Sequence, residues 1–246
     1  MMPGRTIAIM QPYAFPYLGY FHLVEASDIF VFYDDVTFIK GGWINRNTML
    51  VNGQAHWFTV PLSQAGSNRS IHEIALSGAA RFRTKFLKTL DAAYRKAPYY
   101  DQGRGYVEAV LGAGSCTIAE LSMASITMFY RHLGLARNFE VASQSFAATR
   151  SLGRVARLAR IVQGLQGTRY VNASGGRTLY TAADFAAHEI ELSFVETKLA
   201  PYRQTGRDGF LPGLSIIDIL MHNAPEAIGA HLGSFSLELA SDPPPT

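Results

Sequence analysis

Asp34 and Asp35 close an apolar run, Ile29–Tyr33, and Lys40, Trp43, Asn45, Arg46 and Asn47 follow within a dozen residues. Two carboxylates at a strand end suit a metal bridging phosphates or a ribose hydroxyl, and they equally suit local turn capping. Lysine meets a phosphate as a point charge and arginine as a planar fork, with Trp43 between them as a face for stacking; a solvated hairpin is the plainer alternative. A second group lies upstream in MQPYAFPYLGYF, where Gln11, Tyr13, Tyr17, Gly19 and Tyr20 stand between the first apolar run and a helical pattern. Aromatics there either stack on a base or sugar ring, or pack beneath the loop as a satellite core. A third group is Ser174-Gly175-Gly176-Arg177. Its glycines allow a close backbone approach or a left-handed turn, and Arg177 suits a phosphate or carboxylate. Tyr202 and Gln204 lie in a polar loop placed for an acceptor. Asp218, inside an apolar helix, reads as a paired or capping group.

Other chemistries find less footing. The seven histidines are scattered, with no i, i+4 pair and no serine or cysteine setting of a triad. Cys116 is the only cysteine, which excludes an internal disulfide and reads as a buried core thiol in a helical segment. Arg150, Arg154, Arg157 and Arg160 fall on one side of a helix and read first as a charged outer face. Thr149-Arg150-Ser151 before that helix also suit an anion at its N-terminus.

The elements that position these groups alternate between strand and helix. Thr6–Gln11 reads as a buried strand, Leu18–Ala26 as a helix and Ile29–Tyr33 as a second strand, a βαβ unit with parallel neighbours. Val36–Lys40, Thr48–Val51 and His56–Pro61 read as a β-excursion hinged on Asn52-Gly53, a strong hairpin signal, and His72–Leu76 as a further strand. Helical patterns cover about 80–133, with Phe82, Phe86, Leu87, Leu90 and Tyr94 on one face. Strands follow at Phe139–Ala142, Arg169–Asn172 and Ile190–Phe194, and helices at Gly153–Leu165 and Leu214–His222. The fold class is therefore α/β, an open, mainly parallel sheet flanked by helices. Residues 1–240 form one domain with the β-excursion at about 36–76 and a helical cap region at about 80–133, and 241–246 are a disordered tail. In such sheets ligands bind beyond the carboxyl ends of the strands, which brings the 12–20 loop and the Asp34-Asp35 segment to one crevice.

Composition agrees with a globular protein: 246 residues, 48% hydrophobic and 17% charged. A formal charge of +3 is too weak to argue nucleic-acid binding but agrees with an anionic ligand. No apolar run spans a membrane and the N-terminus has no signal-peptide pattern, so a cytoplasmic protein is expected.

Two resemblances sharpen this reading. Tyr17-Leu18-Gly19-Tyr20-Phe21-His22-Leu23-Val24 is similar to the first-helix motif of nucleotidyl-transferring enzymes, H-x-G-H-x-x-L-[IV], with tyrosines for both histidines. That likeness implies a nucleotidyltransferase-like sheet. A wider one covers about 210 residues: M-Q-P-Y-x-F-P-Y-x-G-Y-F at 10–21, F-V-F-Y-D-D-V-x-F-I-K at 30–40, G-W-I-N-R-N at 42–47, Tyr170 with S-G-G at 174–176, Tyr180, Y-x-Q at 202–204 and G-F-x-P-x-L-S-I-I-D-x-L at 209–220. On these motifs the chain resembles the WbqC-like family, encoded among genes for O-antigen and other surface polysaccharides. The resemblance implies an enzyme acting on a nucleotide-linked amino sugar, with ATP and Mg²⁺ driving acyl or aminoacyl amide formation. Nucleotidyl or glycosyl transfer on a sugar phosphate and non-catalytic sugar or nucleotide binding are the alternatives. Tyr20, Asp35, Lys40 and Arg46 are the expected catalytic residues. Gln11, Tyr13, Tyr17, Gly19, Asp34, Trp43, Asn45, Asn47, Ser174, Gly175, Arg177, Tyr202 and Gln204 are expected to bind the substrate.

Overall fold

The computed structural model describes residues 4–66 and 68–241. Of the expected tail at 241–246, all but Ser241 lies outside them. The first half contains β1 (Arg5–Met10), α1 (Leu18–Glu25), β2 (Ile29–Phe32), β3 (Arg46–Val51), β4 (Gln54–Thr59), α2 (Ala79–Tyr94), α3 (Tyr100–Leu111) and α4 (Ile118–His132). The second contains β5 (Phe139–Val141), α5 (Ala142–Ser145), α6 (Arg154–Gly164), β6 (Gly167–Ala173), α7 (Ala182–Ala186), β7 (Glu191–Thr197), α8 (Ile216–His222), α9 (Pro225–Leu232) and β8 (Phe235–Leu239).

Six strands form one sheet in the order β5-β2-β1-β6-β7-β8. The first five are parallel and β8 pairs antiparallel with β7 at the edge. A parallel strand covered on both faces needs a continuous apolar run, and Ile7, Ala8 and Ile9 of β1 are all buried. The two faces separate by alternation. Ile7, Ile9, Val31, Tyr170, Leu192 and Phe194 pack with Leu158, Ile161 and Val162 of α6 and Phe185 of α7. Ala8, Phe30, Phe32, Val171 and Val195 face the other way, into a larger cluster with α1, α2–α4 and α8. The helices of 79–132 thus share their core with this face of the sheet.

β3 and β4 form a separate antiparallel hairpin. Asn52 and Gly53 both have positive φ, 49° and 75°, as the tight two-residue hairpin turn requires. Val36–Lys40 and His72–Leu76, expected as strands, are irregular. They make isolated bridges, Thr37 to Ser70 and Leu62 to Leu76, around a 3₁₀ turn at Ile71–Glu73. Cys116 is exposed ahead of α4, not in a helical core, and its N–H donates to Glu120. Thr117 and Glu120 form a capping box there, so the helix begins after the cysteine.

The chain builds β2 and then β5 on one side of β1, and β6 and β7 on the other. The direction therefore reverses between β1 and β6. In open α/β sheets that reversal opens a crevice at the carboxyl ends of the two strands.

Candidate functional site

The 11–17 loop leaves β1 at this crevice, and its residues divide into two jobs. Phe15 serves the core. It is fully buried, stacks on Phe86 with ring centroids 6.0 Å apart, and has φ +48°. A left-handed phenylalanine costs about 1–3 kcal/mol and persists only where its surroundings fix it. Three distant elements do so: the Phe15 N–H donates to Ser125 Oγ (3.0 Å), and its carbonyl accepts from Asn47 Nδ2 (2.9 Å) and Ser215 Oγ (2.8 Å). The tyrosines face the crevice. Tyr20 packs on Tyr13 at 5.5 Å and donates its hydroxyl to the Gln11 carbonyl (2.9 Å), tying the loop to α1. A Cβ on Gly19 would lie 2.3 Å from the Tyr17 ring, so only glycine lets that ring lie against the first turn of α1.

The resulting cleft has a volume of about 710 Å³, within the usual range for a small-molecule site. Tyr13, Tyr17, Tyr20, Tyr33, Tyr170 and Tyr180 line it with Trp43. Gln11, Asn172 and Ser174 add neutral polar groups, and Gly175 and Gly176 a bare backbone wall. A Cβ on Gly176 would strike Asn172 Nδ2 at 2.5 Å, so that glycine makes room for the Asn172 amide. The lining contains no Asp, Glu, Lys, Arg or His. Burial raises the pKa of all six tyrosines, so each is a neutral hydroxyl at physiological pH.

Charge lies one layer behind. Asp35 accepts from Arg157 Nη2 (2.7 Å to both oxygens) and Arg150 Nε (2.8 Å), and the Arg157 guanidinium lies 4.6 Å from the Tyr33 ring centre. Arg157 is therefore buried, against its expected place on an outer face, because the Asp35 carboxylate and the Tyr33 ring receive it. Asp34 accepts from the backbone N–H (2.9 Å) and hydroxyl (2.6 Å) of Ser143 at the start of α5. Among the described residues no three His, Cys, Asp or Glu side chains gather as a metal site. Flat neutral walls with dispersed hydroxyls and amides suit a ring bearing hydroxyl or amide groups.

The WbqC-like protein family matches residues 11–230, nearly the whole chain. The chain belongs to that family. A relative, the uncharacterized protein Rv1507c of Mycobacterium tuberculosis, is 25% identical over 226 residues, 91% of this chain and 96% of its own length. No solved structure matches.

In this WbqC-like protein Gln11, Tyr13, Tyr17, Gly19, Tyr20, Trp43, Ser174 and Gly175 meet at the cleft. The remaining candidates stand elsewhere. Asp34 and Asp35 make the bonds just given. Arg46 donates to the Gly41 and Gly42 carbonyls and covers Trp57, while Lys40 is exposed on the neighbouring loop. Asn45 donates to the Val60 carbonyl (2.9 Å) and Asn47 to Phe15, so both hold backbone. Arg177 pairs with Glu196 and Glu238, 2.7 Å each, outside the cleft. Tyr202 (2.7 Å) and Gln204 (2.8 Å) donate to Asp218, which also accepts from Tyr94 (3.0 Å). Asp218 is thus a buried, fully hydrogen-bonded anchor for the 200–214 loop. Sequence reasoning passed over Tyr33, Asn172 and the aliphatic wall of Leu158 and Leu179. Tyr170 and Asn172, two apart on β6, carry the one available signal: same-face residues at the end of a strand beside β1.

Proposed function

We propose that this chain is an enzyme of surface-polysaccharide biosynthesis whose cleft holds the amino-sugar ring of a nucleotide-linked sugar. The observation that carries this is the uncharged, tyrosine-lined cleft at the strand reversal. Aromatic faces take the C–H surfaces of a pyranose, and tyrosine hydroxyls with the Gln11 and Asn172 amides meet its hydroxyls and its nitrogen, a free amine in the substrate and an N-acyl group in the product. Exposed Arg154 at the start of α6 stands near Tyr180 at the edge of the cleft. In the reaction we favour, a carboxylic or amino acid displaces pyrophosphate from ATP, with Mg²⁺, to give an acyl adenylate, and the neutral sugar amine then attacks its carbonyl, expelling AMP and losing a proton to form the amide. Nucleotidyl or glycosyl transfer is the alternative in the same cleft.

A second reading, sugar binding without turnover, is favoured by the lining itself. A general base works best with a pKa near the operating pH, and buried tyrosines lie far above it. Ligand-observed NMR against nucleotide-linked and free N-acetyl amino sugars, followed by AMP and pyrophosphate assays with ATP, Mg²⁺ and a carboxylic-acid panel, separates the readings. Sugar binding weakened about tenfold by Asn172→Ala, a loss of one good polar contact, is expected. Binding with no turnover supports the second reading, and no binding of any sugar refutes both.

A further inference from the structure

Nine large apolar side chains are exposed among the described residues, and five of them gather at the mouth of the cleft. Tyr17, Ile39, Trp43 and Leu179 line the cleft at its rim, and Trp57 packs against Trp43, tilted by 32° with ring centres 5.2 Å apart. The last four are each about half exposed, 47–54%. This exposure is braced: the Arg46 guanidinium lies 4.7 Å from the Trp57 ring centre and is fixed by the Gly41 and Gly42 carbonyls. A fixed, solvent-facing pair of tryptophans beside an isoleucine and a leucine marks a surface that meets something.

The charge around the mouth says what. Segments 36–61, 143–165 and 173–183 contain Lys40, Arg46, Arg177 and the four arginines of 150–160, with not one Asp or Glu. Six carboxylates meet these segments from just outside them, Asp34, Asp35, Glu140, Asp184, Glu196 and Glu238, so what the mouth offers an anion is set by the cations they leave unpaired. Asp35 occupies Arg157 and Arg150, and Glu196 and Glu238 occupy Arg177. Lys40, Arg154 and Arg160 are exposed, with no ion pair among the described residues. A sugar would use the tryptophans but gains nothing from exposed Ile39 and Leu179. A bilayer surface uses all of these: aliphatic tips below the headgroups, indoles at their level and cations against anionic lipid.

We propose that the mouth of the cleft docks on an anionic lipid bilayer, with Ile39, Trp43, Trp57 and Leu179 seated in the interface and Lys40 and Arg154 on the headgroups. No helix among the described residues is long and apolar enough to cross a membrane, so the contact is peripheral. The cleft then opens onto the bilayer. Docking stands on the rim alone, whereas the sugar reading above sets what enters.

The chain has two tryptophans, both in this rim, so all of its indole emission reports on the surface in question. The experiment is flotation of the full chain with phosphatidylcholine vesicles, with and without phosphatidylglycerol, recording emission in each fraction. Flotation with the phosphatidylglycerol vesicles, blue-shifted emission and release by high salt are expected. Ile39→Ser with Trp43→Ser should weaken partitioning about tenfold or more, Lys40→Glu several-fold, and Leu135→Ser, exposed before β5 at the amino ends of the strands, not at all. Lys40→Glu, at an exposed position with no ion pair among the described residues, keeps the test decisive should the double variant not fold. No flotation, flotation with unshifted emission, or flotation indifferent to the rim variants would each overturn the proposal. Sugar binding measured without vesicles stands or falls separately.

Discussion

Replacing Asn47 and Ser215 by alanine, singly and together, measures what holds Phe15 in its left-handed conformation. Both side chains donate to the same Phe15 carbonyl, at 2.9 and 2.8 Å. Asn47→Ala removes one of these bonds, about 1 kcal/mol, and also the bond its Oδ1 accepts from the Thr48 N–H (2.8 Å), about 1 more. Ser215→Ala removes the other, with the cap it provides to the Ile217 N–H at the start of α8, again about 2 kcal/mol in all. Each single variant leaves the carbonyl one donor. The double variant leaves none, on a residue with no exposed surface, and an unsatisfied buried acceptor costs about 1–3 kcal/mol. The double should therefore lose about 5 kcal/mol against a sum of about 4, a coupling near 1 kcal/mol. At roughly 2–4 °C per kcal/mol for a chain of this size, its melting temperature falls by roughly 10–20 °C. Urea unfolding followed by far-ultraviolet circular dichroism gives the four free energies of the cycle. Strict additivity would show that the two donors act separately, and the account of a jointly clamped carbonyl would be wrong.

Asp35→Ala strands the buried Arg157 guanidinium and should cost about 3–5 kcal/mol in the same assay. Arg150→Ala, on the same carboxylate but with a side chain 44% exposed, should cost less than about 1 kcal/mol. Equal losses would contradict the burial argument. Gly19→Ala drives a methyl into the Tyr17 ring, so ligand binding in titration calorimetry should fall about tenfold while stability changes by less than about 1.5 kcal/mol; unchanged affinity would remove Tyr17 from the site. Burial lowers the pKa of His22 below its usual 6.5, so the folded state favours the neutral ring. The unfolded chain binds that proton first, and stability present above pH 6.5 is lost as pH falls through the lowered value. Urea midpoints taken downward from pH 7 should decline, and His22→Gln should flatten part of the decline; an unaltered slope would assign it to His132 and His231, which shift the same way.

The βαβ opening, the Asn52-Gly53 hairpin and the α2 face were legible because each is written in local pattern: apolar runs, turn chemistry and a 3.6-residue period. β8 was not, because Phe235–Leu239 is an edge strand whose side chains are largely exposed and carry no buried signature. At the site, the aromatic loop was legible as a cluster, but Phe15 and Tyr13 look alike in sequence and differ only in which contacts fix them. The charged candidates misled for a related reason. Asp35, Arg46 and Arg177 have the chemistry to meet a phosphate, yet each has a partner 115, 5 and 19 residues away that no local pattern announces. Tyr33 and Asn172 stand at strand ends, and only the sheet order places those ends together.

Phe15 is clamped by side chains 32, 110 and 200 residues further along the chain. The loop that forms one wall of the cleft leaves the ribosome 200 residues ahead of Ser215, and all three clamps are in place only when Ser215 has emerged. At roughly 5–20 residues per second, that interval is roughly 10–40 s. A nascent chain halted before residue 215 has every strand from β1 to β7 and still lacks one of the two donors to the Phe15 carbonyl. The cleft wall therefore completes its hydrogen bonding only after every parallel strand of the sheet has been made.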